Sequence, residues 1–457
     1  MATPAFSPQS PPSKDGLRYL FIDFNAYFAA VEQHDNPALR GRPVIVSPLD
    51  SEHAGAIAVS YEARGAGIRR GTSVREARQL CPGIAVLPAR HDRYVAVHRQ
   101  LMAEVEHHLP LFKVYSIDEA AFQLSRSEAS PAPALAIARK VKQGIAENVG
   151  PALRSSIGLA PTRLLAKLAA EMHKPDGMTV LTMEELPHRL ADMTLTDIPG
   201  IGASMGARLA RAGVHDFLSL WRIEPKQARA IWGSIQGERF WYALHGHEVE
   251  EPATKKSMIG HSRVLSREHE RADAARIVAR ALLLKAASRL RHYGLFASAL
   301  SVSVRLRPEG GRDGARRFAY SQNTFCFLRA FDEIWSELFG KQAKGAQARC
   351  GAVTIYLAGF AAEGDAKLRQ GDLFEPANPA DDRQARLWRA IDRINADPDH
   401  KFQRLGRRAD AAETAGGAPT RPVTRHVMLA RQSGLNLNYL GVKIAFSRVP
   451  EEAEFFY

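Results

Sequence analysis

The sequence predicts an α+β protein of several domains. At 457 residues the chain is too long for one ordinary hydrophobic core. Up to about residue 185, short apolar strands alternate with amphipathic helices, the pattern of a mixed α/β core. A helical stretch over 186–250 follows. The run SALSVSVRLR (298–307) then marks a second α+β unit with the cleanest two-residue alternation in the chain.

Taken in order, MATPAFSPQSPPSKDG (1–16) is Pro/Ser-rich and predicted disordered. LRYLFIDF (17–24) reads as a short buried strand ending near Asp23, and NAYFAAVEQ as the start of a helix. RPVIVSP (42–48) and AIAVSY (56–61) are two further strands. VREARQLCPG is a helix closed by Pro-Gly, and a long helix follows over roughly 91–109. LFKVYSIDEAAFQL (111–124) is a hairpin or two abutting strands. PALAIARKVKQGIAENVG is an amphipathic helix and LRSSIGLA a strand; RLLAKLAAEMHKPDG is a helix stopped by Pro175 and Gly177. EPATKK (251–256) has the composition of a linker. In the second unit, Leu300, Val302, Val304 and Leu306 face one way, and Ser301, Ser303, Arg305 and Arg307 the other. The helix 272–292 could cover the apolar side, and the tail from about 361 is loop-rich.

Composition narrows the function classes. Hydrophobic and charged contents of 45% and 24% are those of a soluble globular protein. No apolar run approaches the roughly 20 residues of a membrane span. The N-terminus lacks a charged-then-apolar signal, so a cytoplasmic location is expected and a membrane partner is not. Cys81, Cys326 and Cys350 are far apart and form no CxxC pair, which suggests neither a disulfide framework nor a zinc site. The net charge is +13, and between Lys255 and Arg307 there are 12 Lys/Arg against 3 Asp/Glu, a local net of +9. Charge clustered in this way favours a nucleic-acid surface.

The chemistry-bearing residues converge on the first domain. Asp23 stands where a strand runs into a loop, and Asp118 and Glu119 stand side by side in YSIDEAAF (115–122). Each alone reads equally as a cap or a solvated surface group. Together, three carboxylates are what two Mg²⁺ ions about 3.5–4 Å apart need to clamp a phosphoryl displacement. On a regular strand, successive side chains point to opposite faces, so Asp118 and Glu119 share a site only if the chain turns there. Tyr61 and Arg64 lie one helical turn apart, Arg64 able to grip phosphate and Tyr61 to donate its hydroxyl. Lys167 adds a point charge on a helix. In DIPGIGASMGARLARAGV, the turn around Gly200 and Gly202 leads into a helix with Leu209 on its apolar face. It reads as a helix–hairpin–helix that offers N–H groups to DNA phosphates, or as a plain Gly-rich connection.

Five motifs in order then resemble one family. IDFNAYFAAVEQ (22–33), SYEARGAGIRRGTSVREARQLCPG (60–83), YSIDEA (115–120), LAPTRLLAKLAAEMHKPDG (159–177) and IPGIG (198–202) are similar to the Y-family, or translesion, DNA polymerases of the DinB/UmuC group. The resemblance covers roughly residues 17–360. It implies a right-handed polymerase: palm over 17–26 and 92–185, fingers over 27–91, helical thumb over 186–250, a linker at 251–256, and an α+β little finger over 257–360. A C-terminal extension spans 361–457. The resemblance implies that Asp23, Asp118, Glu119 and the carbonyl of Phe24 hold two Mg²⁺. It makes Phe28 the steric gate that excludes a ribose 2′-OH, and Tyr61, Arg64 and Lys167 the dNTP triphosphate site. Gly71 would lie over the templating base, Asn25 stands where some members carry Asp, and Ile57 is bulkier than in some relatives.

The implied activity is low-fidelity, template-directed synthesis on primer–template DNA by a monomer without proofreading. Gly200, Gly202, Arg305 and Arg307 would hold the DNA. QGDLF (370–374) resembles the peptide that docks on the β sliding clamp, with Gln370, Leu373 and Phe374 as anchors. Two other readings remain: a non-catalytic clamp-bound paralogue, which is expected to lose the carboxylates, and a nucleotide cyclase on a similar palm, which needs no DNA grip.

Overall fold

The computed structural model describes residues 16–48, 50–250, 256–265, 267–340, 349–365, 384 and 386–392. The N-terminal segment before residue 16, linker residues 251–255, the pentapeptide 370–374 and most of the tail lie outside the described residues. The chain divides into two compact units, one before and one after residue 252.

The first unit is built on β1 (Tyr19–Phe24), whose six residues are all buried because the strand is central and covered on both faces. It is followed by α1 (Tyr27–Asp35), β2 (Val44–Ser47), β3 (Ala58–Val59), α2 (Tyr61–Gly65), α3 (Val74–Leu80) and β4 (Ala85–Pro88). Next come α4 (His91–Glu106), β5 (Leu111–Val114), β6 (Glu119–Gln123), α5 (Pro131–Gly144), β7 (Ser155–Ala160), α6 (Arg163–Met172) and β8 (Met178–Val180). Four short helices close the unit: α7 (Ala203–Arg211), α8 (Phe217–Arg222), α9 (Pro225–Trp232) and α10 (Ile235–Leu244).

The main sheet runs β5-β6-β1-β7-β8, and a small second sheet runs β3-β2-β4. The small sheet packs Ile45 and Val59 against Ala63, Ile68, Val74 and Ala77. Its helices start at serines that cap them: Ser60 accepts from the Ala63 N–H and Ser73 from the Glu76 N–H. The Ser60 cap also explains why β3 is shorter than the expected 56–61 strand, since the chain has already turned into α2. The helix read over 133–150 starts earlier, at Pro131, and its last turn, Ile145–Val149, is a π-helix.

The second unit comprises β9 (Met258–Val264), α11 (Ala272–His292), β10 (Leu295–Arg307), β11 (Gly311–Ser321), α12 (Thr324–Phe339) and β12 (Arg349–Ala362). The sheet order is β11-β10-β12-β9, antiparallel throughout. Leu300, Val302 and Val304 are buried in one core with α11 and α12, as the alternation predicts. Leu306 is only partly buried, because a register shift falls between Arg305 and Leu306. Beyond the sheet, residues 386–392 are helical. Trp388 is buried there against Phe325, and Asp392 pairs with Arg291 and accepts from Ser288. Residues 386–392, within the C-terminal extension, are thus docked on α11 and α12. No helix among the described residues is long and apolar enough to cross a membrane.

Phe331 is fully buried between the sheet and α11. Phe331→Ala is expected to cost about 3–5 kcal/mol of the second unit's stability, read from denaturant unfolding; a cost below about 1 kcal/mol would contradict this packing.

Candidate active site

Side-chain alternation along β1 places Tyr19, Phe21 and Asp23 on one face. In the antiparallel β1–β6 pair, Asp23 lies directly opposite Glu119, so both carboxylates leave the sheet on the same side. That side is covered by α6. Thr162 caps the helix by accepting from the Leu165 N–H, and Leu165, Ala166, Leu168 and Ala169 pack onto Tyr19, Phe21 and Ala121. Lys167 and Glu171, four residues apart, thereby reach the carboxylates, and Lys174 follows just past the helix end.

Three carboxylates bring oxygens within 4.8 Å of one another: Asp23, Glu119 and Glu171. Two lysines are set among them. Lys174 Nζ lies 2.8 Å from Asp23 and 2.7 Å from Glu171, and Lys167 Nζ lies 2.6 Å from Glu119. Burial raises the pKa of Asp23 to about 6; Lys174 opposes the shift, while Glu171 and Asp118 add to it. This is a hard-oxygen, charge-rich site of the kind that a divalent cation fits.

The stretch SIDE leaves strand geometry as expected. Residues 116–118 form a bend between β5 and β6. Ser116 Oγ donates to the Asp118 carboxylate, and the Phe24 N–H donates to the Asp118 carbonyl at 2.8 Å. The structure nevertheless departs from the expected trio. Glu171, not Asp118, completes the tight group, because Asp118 sits in the bend with its carboxylate turned onto Ser116. Its charge still reaches Asp23, Tyr27 and His98.

Tyr61 and Arg64 share one side of α2, the guanidinium lying 4.4 Å from the ring centroid. Burial raises the Tyr61 pKa, and the hydroxyl also feels Arg64, Lys174, Asp23 and Glu171. The lysine in this group is therefore Lys174 rather than Lys167, whose ammonium is committed to Glu119 and lies over the Phe21 ring. Phe28 is 4% exposed and stacks on Tyr94, with centroids 4.2 Å apart. Tyr94 donates to Glu32 at 2.7 Å, and Arg90 binds both Glu32 oxygens. Gly71 adopts φ 92°, which glycine takes without strain, and Ile57 is half-buried. Asn25 is structural: its amide donates to Ser156, and its carbonyl accepts the Asp176 N–H at 2.7 Å, fixing the loop that carries Lys174.

The expected DNA-holding residues are placed as follows. Gly200, at φ 93°, and Gly202 turn the chain into α7, with Ile198 and Ile201 buried beneath. In the second unit Arg305 is exposed, whereas Arg307 donates to Glu270 and to the Leu265 carbonyl. The open face of that sheet carries a hydroxyl row, Ser303–Thr354–Ser262, closed by a 2.8 Å hydrogen bond between the last two.

Known proteins are similar to this chain over both units. The impB/mucB/samB family matches residues 22–171, and its C-terminal domain matches residues 256–373. The chain is 33% identical over 388 residues to DNA polymerase IV of Moorella thermoacetica, covering 82% of this chain and 92% of that one. It is 32% identical over 292 residues to DNA polymerase IV of Halorhodospira halophila, covering 63% and 81%. The fold is similar to that of a Y-family DNA polymerase chimera, Dbh-Dpo4(243-245)-Dbh, with a TM-score of 0.64 and 21% identity, covering 76% of this chain and 99% of that one. The chain belongs to the Y-family of DNA polymerases, on its DinB-like branch. By class it is a DNA-directed DNA polymerase.

Lys174→Ala removes the cation that opposes protonation of Asp23. In the metal-free protein the Asp23 carboxyl is expected to titrate clearly above about 6, followed by carboxyl carbon NMR of aspartate-labelled protein. An unchanged titration would show that the ion pair does not act on Asp23.

Proposed function

We propose that this chain carries out template-directed, low-fidelity translesion synthesis by two-metal nucleotidyl transfer from dNTPs to a primer 3′-OH. The observation that carries the reading is the carboxylate group of β1, β6 and α6 with Tyr61, Arg64 and Lys174 beside it. On this reading, the sheet of β1 and β5–β8 is the palm, the β2–β4 unit the fingers, α7–α10 the thumb and the second unit the little finger.

Asp23, Glu119 and Glu171, joined by Asp118 and the carbonyl of Phe24, are the residues that would hold two Mg²⁺. Bound there, the ions supply charge that eases loss of the primer 3′-OH proton and neutralises the triphosphate. Lys174 and Lys167 neutralise these carboxylates in the metal-free protein and would have to yield them to bound ions. Lys174, beside Tyr61 and Arg64, would bind the triphosphate oxygens with them and stabilise the departing pyrophosphate. Phe28, held flat on Tyr94, bars a ribose 2′-OH. Gly200, Gly202 and Arg305 face the DNA backbone, with the Ser303–Thr354–Ser262 row in support; Arg307 contributes through Glu270 rather than directly. Residues 370–374 are the peptide for the sliding clamp, and the enzyme works as a monomer.

Asp118→Ala is expected to lower primer extension by at least about a hundredfold; undiminished activity would sink the catalytic assignment. Phe28→Ala should admit ribonucleotides, and unchanged sugar selectivity would remove Phe28 from the gate. Asp23 must be ionised to hold a cation. The Mg²⁺ concentration for half-maximal extension should therefore be flat above about pH 7 and rise as pH falls through about 6. A half-saturation independent of pH between 5.5 and 7.5 would contradict the role of Asp23.

A further inference from the structure

α4 brings one buried polar side chain to the carboxylate-bearing bend. His98 is 3% exposed, and its Nδ1 lies 2.8 Å from the carbonyl oxygen of Ile117. A carbonyl only accepts, so Nδ1 carries the hydrogen and donates it. Burial lowers the His98 pKa, against the opposing pull of the Ile117 hydrogen bond and the Asp118 charge. The ring at neutral pH is thus a neutral imidazole in one tautomer.

The bend is held at three successive residues. Ser116 Oγ bonds within the bend, to Asp118. The Asp118 carbonyl accepts from Phe24, on the strand that carries Asp23. Between them, the Ile117 carbonyl accepts from His98 on α4. Ile117 itself is 1% exposed, so its carbonyl, turned out of the strand ladder, needs a donor supplied by the protein. Without that donor, the bend loses a hydrogen bond that ties it to α4. The chain then has less reason to leave strand geometry at the point where Asp118 and Glu119 must both address Asp23.

We propose that His98 is a positioning residue for nucleotidyl transfer, its Nδ1–H holding the 116–118 bend in the shape that aims Asp118 and Glu119. This rests on the reading of those carboxylates as metal ligands. His98 touches no substrate; it acts through the main chain of Ile117.

The test uses the full-length enzyme with primer–template, dNTP and a Mg²⁺ titration, on His98→Leu, His98→Ala and His98→Asn. Leucine fills the space without donating; asparagine offers an amide N–H where Nδ1–H stood. With His98→Leu and His98→Ala, the expected result is a loss in kcat of about 10–100-fold and a several-fold rise in the Mg²⁺ needed for half-saturation. The KM for dNTP should hold within about twofold, because Tyr61, Arg64 and Lys174 are untouched. His98→Asn should recover most of kcat and the Mg²⁺ response. Recovery by leucine but not asparagine would overturn the proposal in favour of packing alone, as would unchanged kcat and Mg²⁺ dependence in His98→Ala. Asp118→Ala separates the two readings. If Asp118→Ala is inactive while His98→Leu is normal, only the positioning role fails; if Asp118→Ala is fully active, the metal-site reading fails and takes this one with it.

Discussion

The register of one strand pair governs this molecule. With Asp23 opposite Glu119 on a fully buried central strand, two carboxylates emerge side by side on a covered face. Such charges are costly to bury unless they are paired. The surrounding architecture supplies the partners: α6 lies across that face, its apolar side packed onto Tyr19 and Phe21, and carries Lys167 to Glu119. The loop beyond it, held by Asn25 through the Asp176 N–H, carries Lys174 to Asp23 and Glu171.

The same pairing makes the site responsive. Three carboxylates confront two lysines, and the buried Asp23 keeps a raised pKa despite its ion pair. Added positive charge is therefore welcome there, and on the proposed reading it would come as metal ions while Lys174 turns to the triphosphate. Phe28 is stiffly backed: Phe28 on Tyr94, Tyr94 on Glu32 and Glu32 gripped by Arg90 leave its ring little freedom. On the proposed reading of Phe28 as a gate, discrimination of a single hydroxyl would depend on such a backing, because a ring free to swing would yield to it.

Much of this was legible in the sequence, for identifiable reasons. Asp23 and Glu119 sit on or beside strands with clear apolar patterning, and the non-strand geometry of SIDE follows from chemistry alone, since adjacent carboxylates on a flat strand diverge. Tyr61 and Arg64 lie on one short helix, where spacing decides the face. The residues that sequence reasoning missed depend on how helices cross the sheet. Glu171 reaches Asp23 from α6 and Lys174 from the loop just past it, while Lys167, equally basic, lands on Glu119 instead. The i, i+4 spacing of Lys167 and Glu171, with Lys174 three residues on, was the available signal. Arg307 alternates correctly with Arg305, yet a register shift and the buried Glu270 take up its guanidinium. His98 gave no pattern at all, because its partner is a backbone carbonyl.

The central claim is that the carboxylates gathered at the β1–β6 pair hold the catalytic ions. Mn²⁺ bound per chain, counted by electron paramagnetic resonance with primer–template and a non-hydrolysable dNTP analogue, tests it most directly. The account predicts two tightly bound ions in the native protein and loss of at least one in Glu119→Gln. A count that is the same in the native and Glu119→Gln proteins would contradict it.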